Sequence, residues 1–190
     1  DIGRSTPEFM NILWDRVLDE RQKMILETVR ALTEKEIAPR AAELDRKEIY
    51  PWDAIKALSR QGLMGLMVPE EYGGAGERAV TYCAVVEEIA KACASTAVSY
   101  STQSHCCYPI IMAGSENQKK ADLPRLATGE ILGAIAITEP QAGSNVAGIA
   151  MTAEKKGRHY MLNGTKVFCT SGDVADIIVL FATVDKTKGK

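Results

Sequence analysis

The sequence has 190 residues, enough for one compact domain or for one domain and part of another. Its apolar content of 46% and charged content of 25% are typical of a soluble globular protein. The net charge of −2 gives no support to a nucleic-acid or anionic-membrane partner, and no apolar run approaches the roughly 20 residues that span a bilayer.

The amino-terminal third of the chain has a helical pattern. Residues 1–9 are polar and are interpreted as a cloning scar before a native start at Met10. Residues 18–44 carry apolar side chains at helical spacing among many charges, which predicts an amphipathic helix interrupted near Pro39. Pro51 is then expected to open another helix, with a glycine shortly after it as the stop signal.

Three more helices are predicted before residue 130. Residues 80–93 and 96–112 are apolar and rich in small side chains, which is typical of helices at the centre of a bundle. Ser115 and Gln118 are spaced to form a capping box at the start of the next helix. That helix should end near Gly129, because glycine readily takes the left-handed conformation that terminates helices.

After residue 130 the pattern becomes strand-like. Residues 131–137 and 176–184 are apolar and rich in β-branched side chains. Between them, Asn163 and Gly164 separate two short strand-like runs and predict a hairpin, since both residue types tolerate positive φ. A further turn is predicted at residues 155–158.

These patterns predict an α+β protein, with an all-α amino-terminal bundle followed by an antiparallel sheet or barrel. The predicted domains are residues 10–130 and residues 131–190. Only four or five strands fit before Lys190, so the sheet domain is expected to be incomplete and the chain is interpreted as a fragment.

The five cysteines form no Cys-x-x-Cys pair, and the two histidines do not complete a zinc pattern, so no metal site is predicted. The cysteines are interpreted as free thiols packed like small hydrophobic side chains in a reducing compartment. A redox role for the adjacent Cys106 and Cys107 is the alternative.

The segment after the first predicted strand is the best candidate for a ligand site. Residues 135–145 leave the strand, turn at Pro140 and offer small and hydroxyl side chains in a loop. Such a loop exposes backbone groups that can bind a planar heterocycle and its phosphates. From these residues alone, an ordinary strand-to-loop turn remains an alternative.

Three motifs in order resemble those of the acyl-CoA dehydrogenase family. Ile-Thr-Glu-Pro-Gln-Ala-Gly-Ser at residues 137–144 resembles its flavin-binding signature, and Pro-Glu-Glu-Tyr-Gly-Gly at residues 69–74 resembles a turn of the family. Asn-Gly-Thr-Lys at residues 163–166, followed by Thr-Ser-Gly at residues 170–172, resembles its hairpin. The resemblance covers residues 10–184 and implies the family's fold, of which the carboxy-terminal helical bundle is absent here.

The resemblance implies FAD as the cofactor. The residues implied to bind it are Ile135, Ala136, Ile137, Thr138, Gly143, Ser144, Phe168, Cys169 and Thr170. Ile137 and Thr138 are expected at the pyrimidine edge, and Thr170 near the nitrogen that accepts hydride. Phe168 stands where the family usually has a tryptophan beside the flavin ring, with simple core packing on a strand as the alternative.

The implied reaction is α,β-dehydrogenation of an acyl-CoA thioester, with hydride transfer to the flavin. The family's base is usually a glutamate of the carboxy-terminal bundle, so no catalytic residue is assigned and the base is expected beyond Lys190. The expected substrate contacts are Ser144, Ser101 and Tyr100.

The predicted helix at residues 96–112 is expected to form the floor of the acyl pocket. Members that act on dicarboxylic thioesters carry an arginine on this helix, but neither arginine nor lysine occurs in residues 92–114. The helix is also more polar than a long alkyl chain favours, because it carries Tyr100, Ser101, Gln103 and His105. We therefore expect a short, branched or cyclic acyl group, and we expect His105 to be a core histidine.

The resemblance also implies an electron-transfer flavoprotein as electron acceptor and a homodimer or homotetramer for the full-length protein. A cytoplasmic location is expected, with the mitochondrial matrix as the alternative. Two other functions remain open. One is an acyl-CoA oxidase of the same fold, and the other is a non-catalytic helical interaction fragment.

Overall fold

The structure is a computed structural model that describes residues 14–185, so the predicted cloning scar at residues 1–9 lies outside the described part. Helices fill the region for which the sequence predicts them. They are α1 (Glu20–Leu32), α2 (Ala38–Lys47), α3 (Trp52–Arg60), α4 (Ala79–Ala92), α5 (Ala94–Ala113) and α6 (Glu116–Thr128).

The interruption expected near Pro39 takes the form of a π-helical turn, Thr33–Ile37, between α1 and α2. Pro39 lies in the first turn of α2, directly after this wider turn, in which the Ala38 amide donates to the Thr33 carbonyl five residues back. The chain therefore stays helical through the proline.

The predicted helix boundaries after Pro51 are confirmed. α3 begins directly after this proline, and Gly62 takes a left-handed conformation with φ +70° just past its end. At α6, the Ser115 hydroxyl accepts from the Gln118 amide, and the Gln118 side chain accepts from the Ser115 amide at 2.9 Å. Gly129, with φ +71°, ends the helix as predicted.

Helix α5 lies at the centre of the helical region. It packs against α3, α4 and α6, and also against the first and last strands. Val85 and Ile89 of α4 and Tyr100 of α5 have no exposed surface. The predicted position at the bundle centre is confirmed for α5, whereas α4 buries one side and leaves residues such as Cys83 and Lys91 exposed.

Two pairs of strands follow the helices. They are formed by β1 (Gly133–Ala136), β2 (Thr152–Lys156), β3 (His159–Asn163) and β4 (Ile177–Leu180). β2 and β3 are antiparallel, as predicted, but β1 and β4 pair in parallel. The purely antiparallel sheet expected from the sequence is therefore corrected for this pair: the long connection that contains the hairpin carries the chain back, so β4 starts at the same end as β1.

The hairpin turn is not at the predicted Asn-Gly pair. β2 and β3 are joined at the second predicted turn, where Gly157 has φ +61°, and β3 ends at Asn163. A Cβ on Gly164 would lie 2.7 Å from Cβ of Met151. This glycine therefore serves a close backbone approach, which pattern alone does not distinguish from a two-residue turn.

The two strand pairs are joined beyond the end of β4. The Ala153 amide donates to the Thr183 carbonyl at 2.9 Å, and the Thr183 amide donates to the Met151 carbonyl at 2.8 Å. In the described residues the strands form an open strip rather than a closed barrel. Across residues 14–185, none of the helices combines the length and apolar character needed to cross a membrane.

The cysteines are free thiols in the structure, as expected. Cys106 and Cys107 lie in an apolar cluster between α5 and α6. Burial raises the pKa of the Cys106 thiol to about 11 and that of the Cys107 thiol to about 12. Because the thiolate is the reactive form, this burial argues against the redox alternative for the pair.

Candidate functional site

The start of β1 is fixed on α5 by one buried side chain. Gln103 is 1% exposed, and its amide nitrogen donates to the Leu126 carbonyl at 2.7 Å and to the Ile131 carbonyl at 3.0 Å. Its amide oxygen accepts from the Gly133 amide at 2.8 Å. Gln103 therefore ties α5, the end of α6 and β1 together, a role that the sequence analysis missed when it took this residue as part of a polar pocket floor.

The close contact of β1 with α5 also depends on Gly133. A Cβ at this position would lie 2.6 Å from both Cβ and Sγ of Cys106 on α5. The face of β1 that carries Gly133 therefore lies against the helices. Since side chains alternate along a strand, Ile135 continues this face, while Ala136 faces the other side.

The opposite side of β1 borders an open concavity of about 530 Å³. Its lining includes Ala136, Met151, Ile178 and Leu180, together with Cys169. Ile135 and Ala136 were both predicted to bind the cofactor. Because their side chains lie on opposite faces, one ligand can contact both residues only if it reaches at least one of them through the backbone.

The structure brings the two predicted groups of cofactor residues together. The Val167 amide donates to the Thr138 carbonyl at 2.9 Å, and the Lys166 ammonium donates to the Ile137 carbonyl at 2.7 Å. The Cys169 thiol lies 3.5 Å from the Ile135 carbonyl oxygen. The segment from residue 166 to residue 170 thus runs beside the end of β1.

Phe168 is not a core residue, so that alternative is wrong. Its side chain is 90% exposed, and its backbone has φ +56°, a conformation that residues other than glycine rarely adopt. The neighbouring Thr170 is half-buried, and its amide donates to the Phe168 carbonyl at 3.1 Å. An aromatic ring is therefore exposed to solvent in the segment that runs beside the end of β1.

Ser171 anchors this segment to the helical region. It is buried, has φ +63°, and its hydroxyl lies 3.3 Å from the Thr102 hydroxyl and 3.3 Å from the Tyr50 hydroxyl. Thr102 donates its single hydroxyl proton to the Ser99 carbonyl at 2.7 Å. Ser171 therefore donates to Thr102, and Tyr50 donates to Ser171. A chain of three hydroxyl groups thus stabilises the strained backbone of Ser171, the residue after Thr170.

Glu139 and Lys166 form a second polar network that the sequence analysis missed. Their side chains are 2% and 7% exposed, and the ammonium lies 2.8 Å from the carboxylate. Glu139 also accepts from the amides of Ala150, at 2.7 Å, and Met151, at 3.0 Å. Hydrogen bonds from these groups, first from the Lys166 ammonium and then from the Ala150 amide, lower the pKa of the Glu139 carboxyl group to about 2. Both residues stand in recognisable motifs, but nothing in the sequence pairs them.

The three predicted substrate contacts differ in how accessible they are to a ligand. Tyr100 is fully buried, its hydroxyl donates to the Leu63 carbonyl at 2.9 Å, and burial raises its pKa. Ser101 is half-buried and donates to the Ala97 carbonyl at 2.8 Å, while Ser144 lies exposed in the loop after β1. His105 is exposed, so the expected core histidine is wrong.

The donor set at this site fits a flavin dinucleotide. An isoalloxazine has an aromatic face and a hydrogen-bonding edge, which match the uncovered ring of Phe168 and the half-buried hydroxyl groups of Thr138 and Thr170. Gly143 and Ser144 are exposed in the adjoining loop, and a side chain on Gly143 would meet open space. Residues 138–154 contain no lysine or arginine, so phosphates would be bound there by backbone amides and hydroxyl groups.

Comparisons with protein families give two matches along the chain. Residues 19–130 match the acyl-CoA dehydrogenase N-terminal domain, and residues 134–190 match the acyl-CoA dehydrogenase middle domain. Together the two matches cover most of the sequence.

Individual relatives agree with these matches. The chain is 40% identical over 173 residues to a short-chain-specific acyl-CoA dehydrogenase of Clostridium acetobutylicum, covering 90% of this chain and 46% of the relative. It is 43% identical over 173 residues to a cyclohex-1-ene-1-carbonyl-CoA dehydrogenase of Syntrophus aciditrophicus, covering 90% of this chain and 42% of the relative.

A solved structure extends the agreement to the fold. A glutaryl-CoA dehydrogenase from Mycobacterium smegmatis in complex with FADH2 is 33% identical, with a TM-score of 0.84. The match covers 90% of this chain and 44% of that one. The chain therefore spans less than half the length of these relatives.

Proposed function

The chain belongs to the acyl-CoA dehydrogenase family, and we propose that it forms the flavin-facing part of an FAD-dependent acyl-CoA dehydrogenase. FAD is the family's cofactor, and one matched structure contains its reduced form. The observation that carries the proposal is the contact between the end of β1 and residues 166–170, which places both groups of expected flavin residues side by side.

In the proposed reaction a carboxylate base removes the α proton of the thioester, and the bound flavin would accept the β hydrogen as hydride, which leaves a double bond between the α and β carbons. The part of this chain is to bind and orient the cofactor. Ile137 and Thr138 would hold the pyrimidine edge, Phe168 would cover part of the ring, and Thr170 would lie near the nitrogen that accepts hydride. Gly143, Ser144 and the backbone of Ile135, Ala136 and Cys169 complete the proposed site.

The catalytic base is proposed to lie beyond Lys190. Glu139 is a carboxylate next to the proposed flavin site, but it is paired with Lys166 and its pKa is lowered to about 2. A carboxylate with so low a pKa is a weak base, and burial keeps it away from a substrate. The physical chemistry therefore agrees with the family pattern in giving Glu139 no role in proton removal.

We propose an acyl-CoA substrate with a short, branched or cyclic acyl group. Two relatives are named for short-chain and cyclic substrates, and α5 carries no cation for a second carboxylate. Tyr100 and Gln103 use their polar groups inside the fold, so α5 offers a substrate fewer polar groups than its sequence suggests. Ser101 and Ser144 remain proposed substrate contacts, and Tyr100 is left out.

We also propose a domain boundary near residue 130, an electron-transfer flavoprotein as acceptor, a homodimer or homotetramer, and a cytoplasmic or matrix location. The Clostridium acetobutylicum and Syntrophus aciditrophicus relatives are named as dehydrogenases rather than oxidases, which supports an electron acceptor other than oxygen.

The test is a titration of the purified chain with FAD, followed by flavin fluorescence and the visible spectrum. We expect saturable binding with quenched fluorescence, and we expect Phe168→Leu to weaken it by removing an aromatic contact. Tyr160→Leu is the matched control, because Tyr160 is an exposed aromatic residue on β3, 57% exposed. A chain that binds no FAD, or one that loses binding equally in both variants, contradicts the proposed site.

A further inference from the structure

Burying the ion pair Glu139–Lys166 costs free energy, so a contribution to stability does not explain why the pair is there. Both side chains are almost fully removed from solvent, at 2% and 7% exposure. Taking two charges out of water is unfavourable, and replacing a buried pair with apolar side chains often leaves a protein as stable or more so. In some proteins such a pair fixes a specific geometry instead.

The pair fixes three separate segments of backbone. Lys166 holds the carbonyl of Ile137 at 2.7 Å, while Glu139 holds the amides of Ala150 and Met151 at 2.7 and 3.0 Å. The end of β1, the start of β2 and the segment before Phe168 therefore meet at a single ion pair.

The same contacts decide which backbone groups remain for a ligand. Lys166 occupies the Ile137 carbonyl, and the Val167 amide occupies the Thr138 carbonyl. Both carbonyls therefore have a partner within the chain, whereas no described residue accepts from the Thr138 amide, which stays available to a ligand. An ammonium ion on the Ile137 carbonyl also polarises the Ile137–Thr138 peptide and strengthens its N–H, which belongs to Thr138, as a donor.

We propose that Lys166 and Glu139 are positioning residues for the flavin, which hold and polarise the Ile137–Thr138 peptide so that its N–H donates to a carbonyl oxygen of the pyrimidine ring. This inference rests on the proposed function. It assigns the pair a role through the peptide rather than through contact with the cofactor. A stronger donor at that oxygen favours the electron-rich reduced flavin, so the pair raises the reduction potential of bound FAD.

The experiment compares Lys166→Met, Glu139→Gln and the double variant with the unchanged chain. Loss of a charge-assisted bond at the peptide should weaken FAD binding about tenfold in Lys166→Met. The reduction potential of the remaining bound flavin should fall. Lys156→Met is the matched control, because Lys156 forms an exposed ion pair with Glu154 in the hairpin and should leave both values unchanged.

The double variant separates positioning from folding. Removing one partner leaves an uncompensated buried charge and lowers stability, whereas removing both relieves that penalty. We expect the double variant to regain thermal stability but to keep the weakened FAD affinity and the lower potential. If it binds FAD as the unchanged chain does, the positioning role is wrong and the proposed function stands. If the unchanged chain itself binds no FAD, the proposed function fails, and this inference fails with it.

Discussion

The helical region and the sheet region of this chain are held together by different means. In the helices, apolar side chains such as Val29, Leu58 and Val85 have no exposed surface. In the sheet region, Met161 is 59% exposed and Phe168 is 90% exposed. The first region thus has a large apolar core of its own, although side chains such as Met24 and Met112 are exposed, whereas the described residues of the second region leave much of their apolar surface uncovered.

The sheet region touches the helices through apolar side chains such as Ile177 and Val179, and it is also positioned by polar contacts to the helices and within itself. Gln103 binds the start of β1, the hydroxyl groups of Tyr50 and Thr102 bind Ser171, and the buried Lys166 binds the end of β1. Hydrogen bonds are directional and apolar contacts are not, so such a region can keep an exact backbone geometry with a small core. We therefore expect that replacing one buried polar residue weakens the contact between the two regions more than replacing one apolar residue does.

The largest effect is expected from Gln103→Leu. The substitution keeps an apolar body of similar size but leaves the Leu126 and Ile131 carbonyls and the Gly133 amide without this partner. Buried groups left unpaired make the expected loss of unfolding free energy about 3 kcal/mol. Chemical denaturation measures the loss, and hydrogen exchange should show faster exchange in β1 than in α4.

Gln61→Leu is the control for this substitution, because Gln61 is exposed just after α3. Its stability should stay within about 0.5 kcal/mol of the unchanged chain. Equal losses in the two variants would mean that Gln103 does not join the regions.

A smaller effect is expected from Gly133→Ala, which tests the close contact between β1 and α5. The added Cβ would lie 2.6 Å from the Cys106 side chain, so either the strand or the helix must shift. Overpacking of this kind costs about 2 kcal/mol. Gly143→Ala is the control, since a side chain there meets nothing within 4 Å. Comparison of the two denaturation midpoints checks the prediction, and a neutral Gly133→Ala would show that the two regions do not pack closely.

The same contrast explains how much of the structure could be predicted from the sequence. Helix boundaries at Pro51, Ser115 and Gly129 follow from local chemistry, so they were predicted correctly. The parallel pairing of β1 with β4 was missed, because it depends on how the chain returns over residues 137–176 rather than on any local pattern.

In the candidate site, too, some features could be predicted from the sequence and others depend on packing between distant residues. Motifs placed Ile137, Thr138 and Phe168 at one site, and the structure brings their segments together. The supporting partners Gln103 and Lys166 were missed, because a polar side chain predicts neither its burial nor the distant backbone group that it will bind. Three-dimensional packing decides both.

The smallest effect is expected from Ser115→Ala, which acts within the helical region alone. The Ser115 hydroxyl accepts from the Gln118 amide, and the Gln118 side chain returns the bond, so the substitution removes a cap of α6 and costs about 1 kcal/mol. Hydrogen exchange should be faster in the first turn of α6 and unchanged in the β2–β3 hairpin. Ser144→Ala, in the exposed loop after β1, should leave stability unchanged. If Ser115→Ala instead loosens the hairpin as much as α6, the two regions unfold as one unit, and the difference in how they are held has no effect on how they open.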